Sequence, residues 1–305
     1  MSVAVEADRA ARAKALAARR RAERRSLRRL AKRTPFYLLI AAIFVFALFP
    51  FYWALRSAFT PNSDLFATPV QYFPLDPTLS HFRNVLSSGN FQDALLNSTI
   101  VAASVTLLAL AIGSLSAYAL GRFDFRGRQA TLYLMLSMTI FPQIAILGAL
   151  YTQINRLELY NRLGALIFSY MIFTLPFTIW VLTSFMRALP KDLEEAAYID
   201  GASPLQVFYK VMLPLIAPAL VTTGLLAFIA AWNEFLYALS FTATPDKRTV
   251  PVAITQFTGE TGSAFQVPWG QIMAATIIVT LPLIVATLVL QRRILAGLTA
   301  GAVKG

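Results

Sequence analysis

Six stretches of this chain, at about 35–53, 94–120, 130–152, 163–188, 213–240 and 270–290, are apolar, and each is close to or above the roughly 20 residues that cross a hydrocarbon core. Inside a bilayer no water pairs with backbone N–H and C=O groups, so a spanning segment must satisfy its own hydrogen bonds. At these lengths that means α-helices. The expected fold is an all-α, polytopic membrane protein of six transmembrane helices. Composition agrees: 57% of the residues are hydrophobic and the mean hydropathy is +0.60, whereas soluble domains are about 45–50% apolar.

A formal charge of +12 reads as a nucleic-acid signature until it is located along the chain. Residues 1–33 hold most of it, with twelve Lys/Arg against Glu6, Asp8 and Glu23. The rest of the chain is nearly balanced. The basic segment precedes a membrane-length run and lacks a small-residue cleavage site, unlike a secretory signal. The positive-inside rule makes it a cytoplasmic arm, either solvated or lying on anionic lipid through Leu16, Leu27 and Leu30, rather than a nucleic-acid arm. Cysteine is absent, which removes disulfides, thiolate metal sites and cysteine nucleophiles.

The remaining basic clusters fall at 121–128, 187–210 and 292–304. With six spans, all of them share the side of the arm, so both termini are expected in the cytoplasm. The expected organisation is an arm at 1–33, a permease domain at 34–291 with external loops at 58–92 and 241–269, and a cytoplasmic tail at 292–305. Within the spans, Pro142 must kink or locally unwind the third, and the fourth contains Thr174-Leu175-Pro176. The second span is rich in small residues such as Ala102, Ala103, Gly113 and Ala117, the composition of a helix packed on other helices.

Between the fourth and fifth runs lies a polar hinge at 190–214, holding four of the fifteen acidic residues (Asp192, Glu194, Glu195, Asp200). Asp192 and Glu195 have capping-box spacing, so a helix is expected to start near Leu193. Gly201 should end it. Ser203-Pro204-Leu205-Gln206 is a second start signal, with Ser as N-cap, Pro at the first position and Gln at the third. Leu205, Val207, Phe208 and Val211 would then form an apolar stripe. Such a hairpin lies on its own membrane or plugs into another protein, and spacing alone does not choose between them.

Glu195-Ala196-Ala197, Gly201, then Val211-Met212-Leu213-Pro214 resembles the EAA loop of permease subunits of binding-protein-dependent ABC importers. Its pattern is E-A-A, three residues, G, nine residues, I, any residue, L-P, and Val211 is the single, conservative departure. Asp200-Gly201-Ala202 resembles the carbohydrate-importer form. The first external loop, Trp232-Asn233-Glu234 and the C-terminal Gly297-Leu298-Thr299-Ala300-Gly301-Ala302-Val303-Lys304-Gly305 look like a MalG-type sugar permease.

This resemblance implies the MetI-like, type I importer fold in the prokaryotic plasma membrane. Its expected partners are a MalF-type permease, a MalK-type ATPase homodimer and an extracytoplasmic sugar-binding protein, in contact with membrane lipid and no nucleic acid. Glu194, Glu195, Ala196, Ala197, Asp200, Gly201, Ala202, Leu213 and Pro214 would couple to the ATPase. Gly297, Leu298, Thr299, Ala300, Gly301 and Lys304 would reach the ATPase dimer interface. Gln256, Thr258, Gly259, Glu260, Thr261 and Gly262 would meet the binding protein.

No G-x-x-x-x-G-K-[S/T] loop occurs in the chain, so ATP and Mg are expected on the partner ATPase, with no cofactor on this subunit and no catalytic or metal residue. His81, without a second His, makes a poor zinc or triad residue. Trp232, Asn233 and Glu234 fit a sugar path, through ring stacking and hydroxyl hydrogen bonds, or an interfacial belt and a helix partner. Gln143 lines the path or satisfies the carbonyl freed by Pro142. A self-contained, ion-coupled transporter would show inverted repeats with paired broken helices and buried carboxylates, and none stands out. An intramembrane hydrolase would need a nucleophile with its base.

Overall fold

A computed structural model describes residues 33–257 and 267–302, which are helical with connecting turns. The chain divides into two compact units, 1–56 and 57–305. Helix α1 (Arg33–Phe59) begins in the first and carries the first apolar run. Phe49 stacks on Trp53 at 5.8 Å, and the Arg56 guanidinium lies 5.0 Å from the Trp53 ring.

In the second unit a short helix α2 (Ser80–Ser87) leads into α3 (Gly89–Arg122). Then follow α4 (Arg128–Ile140), α5 (Gln143–Arg156) and α6 (Leu163–Ala188). The hinge forms α7 (Asp192–Ile199) and α8 (Pro204–Leu215), and α9 (Ala217–Trp232) returns the chain. Two short helices, α10 (Leu236–Phe241) and α11 (Val250–Thr255), precede α12 (Trp269–Ala302).

Four helices are long and apolar enough to cross a membrane, and six spans result if each of two bent pairs counts as one. The third run is sharper than a kink: α4 and α5 meet at 98°. Phe141 and Pro142 are both extended there, because the missing proline N–H and its ring clash end α4. The fifth run is likewise broken, by 77° between α8 and α9, and stops again after Trp232. The sixth continues past 290 as one helix to Ala302, so Gly297 to Gly301 extend α12. Lys304 lies outside the described residues.

Helix α3 is the axis of this unit, packing most extensively on α6 and next on α9. Glycines make the close approach: a Cβ on Gly113 would lie 2.7 Å from Thr178 Cγ2, and one on Gly121 would lie 2.8 Å from Met186 Cβ. The two larger apolar clusters share α3, and a third joins its Leu120 to Leu132 and Ile179. Phe91, Val101 and Val105 join Ile154, Leu166, Tyr237 and Phe241 near its start, and Ala117 and Tyr118 join Leu182, Met186, Phe208 and Met212 near its end.

His81 has a structural place. Its Nε2 donates to the Thr60 carbonyl at 3.0 Å, and its ring presses on α12 where a Cβ on Gly270 would come within 2.4 Å.

Candidate coupling hairpin and pathway residues

The hinge folds as helix, turn, helix, with one change at its start. Lys191, not Asp192, is the N-cap of α7, and no side chain caps it. The Lys191 carbonyl already accepts from the N–H groups of Glu194 and Glu195, which draws Asp192 into the first turn. There its charge still favours the helix N-terminus.

Gly201 ends α7 in the left-handed region at φ 81°, and nothing lies within 4 Å of where its Cβ would be. Backbone conformation, not space, calls for glycine. Ser203 and Gln206 form the expected capping box, with Ser203 N donating to Gln206 Oε1 at 2.8 Å and Gln206 N donating to Ser203 Oγ at 3.4 Å.

The apolar face of α8 is Val207, Phe208 and Met212 rather than one including Leu205, which is 63% exposed. The cause is a π-helical turn over Phe208–Met212. Its wider winding brings residues five apart onto one side. Val211 is half-buried and packs against the same cluster, as do Ala197, Ala202 and Leu213.

The hairpin is fastened to the end of α3. Arg122 Nε donates to Glu194 Oε1 at 3.0 Å, in an ion pair whose side chains are 5% and 12% exposed, and Arg122 Nη2 donates to the Pro190 carbonyl at 3.1 Å. The Tyr118 and Tyr198 hydroxyls are 3.3 Å apart, and the Tyr118 ring packs on Phe208. Arg128 donates to the α3 carbonyls of Leu120 (2.7 Å) and Gly121 (2.9 Å), and pairs with Asp124. These arginines meet the negative end of the α3 dipole.

Glu195, Ala196, Asp200 and Gly201 are exposed, as is Pro214. The expected coupling residues thus divide. Glu194 and Ala197 face the permease itself, while Glu195 and Ala196 are available outside it. Arg122 and Tyr118 were not singled out in the sequence, since their partners lie 72 and 80 residues away.

Gln143 and Glu234 line one small cleft with Tyr170, Phe173, Thr174 and Tyr237. Glu234 is committed to the backbone: its Oε1 accepts from Tyr237 N at 2.9 Å and its Oε2 from Ala238 N at 3.2 Å, capping α10. Tyr237 Oη donates to the Gln143 carbonyl at 3.1 Å, which ties α10 to the first turn of α5. Trp232 is buried and stacks on Phe228, and Asn233 is exposed with its amide on the Ile229 carbonyl. The four candidates therefore do not share one surface.

Outside these sites, the base of the 241–257 segment is tied down by three polar side chains. Asn97 Nδ2 donates to the carbonyls of Asp246 (2.9 Å) and Arg248 (3.0 Å), and Val250 N donates to Ser98 Oγ at 2.9 Å. Asn161, left-handed at φ 58°, accepts at Oδ1 from Ala243 N and Thr244 N. Gln256 lines a narrow cleft with Arg248 and Phe257. Thr258, Gly259, Glu260, Thr261 and Gly262 lie outside the described residues. Among the described residues, no group of three or more His, Asp or Glu is placed to hold a metal ion.

Broken spans around an unbroken α3, with a polar hairpin seated on its end, define a multi-pass membrane permease subunit. The chain belongs to the family of binding-protein-dependent transport system inner membrane components, matched over residues 15–299. It is 44% identical to the trehalose/maltose transport system permease protein MalG of Thermococcus litoralis, over 88% of this chain and 96% of that one. It is 40% identical to the trehalose transport system permease protein SugB of Mycobacterium tuberculosis, over 90% and 99%. Its fold is similar to the crystal structure of a bacterial ABC transporter that imports the acidic polysaccharide alginate, with a TM-score of 0.74, 21% identity and coverage of 84% and 94%.

Proposed function

We propose that this chain is one of two permeases in an ATP-driven importer of a sugar, either trehalose or maltose and maltodextrin. Its partners are a MalF-type permease, a MalK-type ATPase homodimer that binds the ATP and Mg, and an extracytoplasmic sugar-binding protein. Transport runs by alternating access: closure of the ATPase dimer moves α7 and α8, and the two permeases rock to open the cavity toward the binding protein.

The observation that carries this reading is the seating of the hairpin. Its inner face, through Glu194, Ala197 and Phe208, is locked to α3 and α6, while Glu195 and Ala196 stay exposed for a partner. A hairpin whose only task was to lie on lipid would turn its apolar residues to the membrane; here Val207 and Met212 are fully buried in the protein. The family membership and the printed substrates of the two relatives support the sugar assignment. In this scheme the C-terminal extension of α12, with Gly297 to Gly301, reaches the ATPase.

Purification of the tagged chain with its neighbouring gene products tests the reading. An ATPase and a second permease should co-purify, and proteoliposomes should import labelled trehalose or maltose when given ATP and the binding protein. Uptake by this chain alone, driven by an ion gradient, would overturn it.

A further inference from the structure

Of the three side chains that hold the 241–257 segment, Asn97 and Ser98 sit on α3, the helix that also anchors the hairpin, while Asn161 holds it from the turn before α6. Asn97 and Ser98 lie near the start of α3 and hold the backbone of 246–250. Arg122 is its last residue and holds α7 through Glu194 and Pro190. The rise of an α-helix puts these anchors about 37 Å apart along the axis, more than the roughly 30 Å of a hydrocarbon core.

The helix between them is suited to transmit motion. Helices α1, α6 and α12 contain Pro50, Pro176 and Pro282, and the other spans break at Pro142 and beside Pro214. Among the described membrane-length helices, α3 alone has no proline in its 34 residues. Proline is the usual cause of a kink, and the other kink-prone place in α3, the pair Gly113-Ser114, is backed by Thr178 of α6. Gly113 and Gly121 seat it closely on α6.

Both clamps also have the chemistry of fixed joints. The buried Asn97 amide makes two hydrogen bonds to backbone carbonyls of one short segment, which fixes position and angle together. Arg122 likewise makes two bonds, to a carboxylate and a carbonyl on either side of the start of α7. Charged bonds of this kind are shorter and stronger than neutral ones.

We propose that α3 is a push-rod: Asn97 and Arg122 are positioning residues that join the ATPase-facing hairpin to the external segment 243–257, so that the binding protein and the ATPase sense each other through one helix. This rests on the transporter reading above. It adds a particular mechanical path, with residues whose removal should disconnect the two ends without removing either.

The test uses the whole complex in nanodiscs, and reads the ratio of ATPase rates with and without trehalose- or maltose-loaded binding protein. Asn97→Asp keeps the shape but replaces the donating amide by a carboxylate facing two carbonyls, and Arg122→Gln removes the ion pair. Each should lower the ratio by about fivefold or more, within the usual range of coupling between sites.

The double variant is the discriminating measurement. Sites this far apart normally have additive effects, and the losses of thermal stability should add. Joints in series do not: the stimulation ratio of the double variant should be no lower than that of the worse single one. Multiplicative loss of the ratio, or a wild-type ratio in an assembled Asn97→Asp complex, would overturn the push-rod. A wild-type complex with no stimulation by any sugar-loaded binding protein would instead overturn the transporter reading and the push-rod with it.

Discussion

Glu194 and Glu195 are neighbours in the chain and face different worlds: Glu194 is tied to Arg122 at 3.0 Å, and Glu195 is exposed on the outer side of the same helical turn. Successive residues on an α-helix point about 100° apart, so a single turn can hold the permease with one carboxylate and offer the next to a partner.

The two glutamates should therefore fail differently. Glu194→Gln leaves Arg122 without its counter-ion in a nearly dry setting and should cost about 1–3 kcal/mol of stability. Glu195→Gln should change stability by less than about 0.5 kcal/mol yet weaken ATPase association. Thermal unfolding of the purified permease pair and ATPase co-purification together check this. Equal melting temperatures for the two variants would contradict the assignment.

Gly201 is a conformational requirement, since the space around it is open while its φ is 81°. Residues with a Cβ lose about 1–2 kcal/mol there, and Asn least, because it enters the left-handed region most readily. The expected order of transport activity is wild type, then Gly201→Asn, then Gly201→Ala, with Gly201→Val lowest and accompanied by loss of bound ATPase. Activity falling with side-chain volume alone, so that Asn is worse than Ala, would show that contact and not backbone sets the limit.

Glu234 is expected to act as a cap before it acts on sugar. Glu234→Ala leaves two N–H groups of α10 without acceptors and should lower stability by about 1–2 kcal/mol. Glu234→Gln keeps one oxygen and should lose less than half of that. Melting curves and uptake KM separate the roles: a raised KM in Glu234→Gln with unchanged melting would instead mark a sugar-contacting group.

Much of this architecture is legible in the sequence because it follows from local rules. Length and hydropathy place the run at 163–188 on helix Leu163–Ala188, and the Ser203 to Gln206 spacing marks a helix start that the hydrogen bonds bear out. What was hidden depends on chain segments far apart. The π-turn at Phe208–Met212 moves the buried face from Leu205 to Met212, and no periodicity rule for a regular helix anticipates it. Pro142 signals a disturbance, yet nothing local to it gives the size of the 98° angle between α4 and α5. Arg122 looks like one more positive-inside residue until its partner is seen, and Asn97 looks like any polar residue near the end of a span.

The packing of α3 on α6 supplies the last prediction. A methyl group added at Gly113 would stand 2.7 Å from Thr178 Cγ2 and 3.4 Å from Thr178 Cβ, well inside van der Waals contact with the first and barely so with the second. Gly113→Ala should therefore cost about 1–3 kcal/mol, the usual penalty for overpacking a filled core. Thr178→Ser removes the Cγ2 methyl and keeps the hydroxyl, so Gly113→Ala with Thr178→Ser should recover most of the lost stability. Gly148→Ala, where nothing lies within 4 Å, serves as the neutral comparison. If α3 must stay in register with α6 to carry load, transport should fall and recover in step with melting temperature across this series. A Gly113→Ala protein that melts and transports like wild type would mean that the two helices already stand apart at this level, and that α3 moves independently of α6.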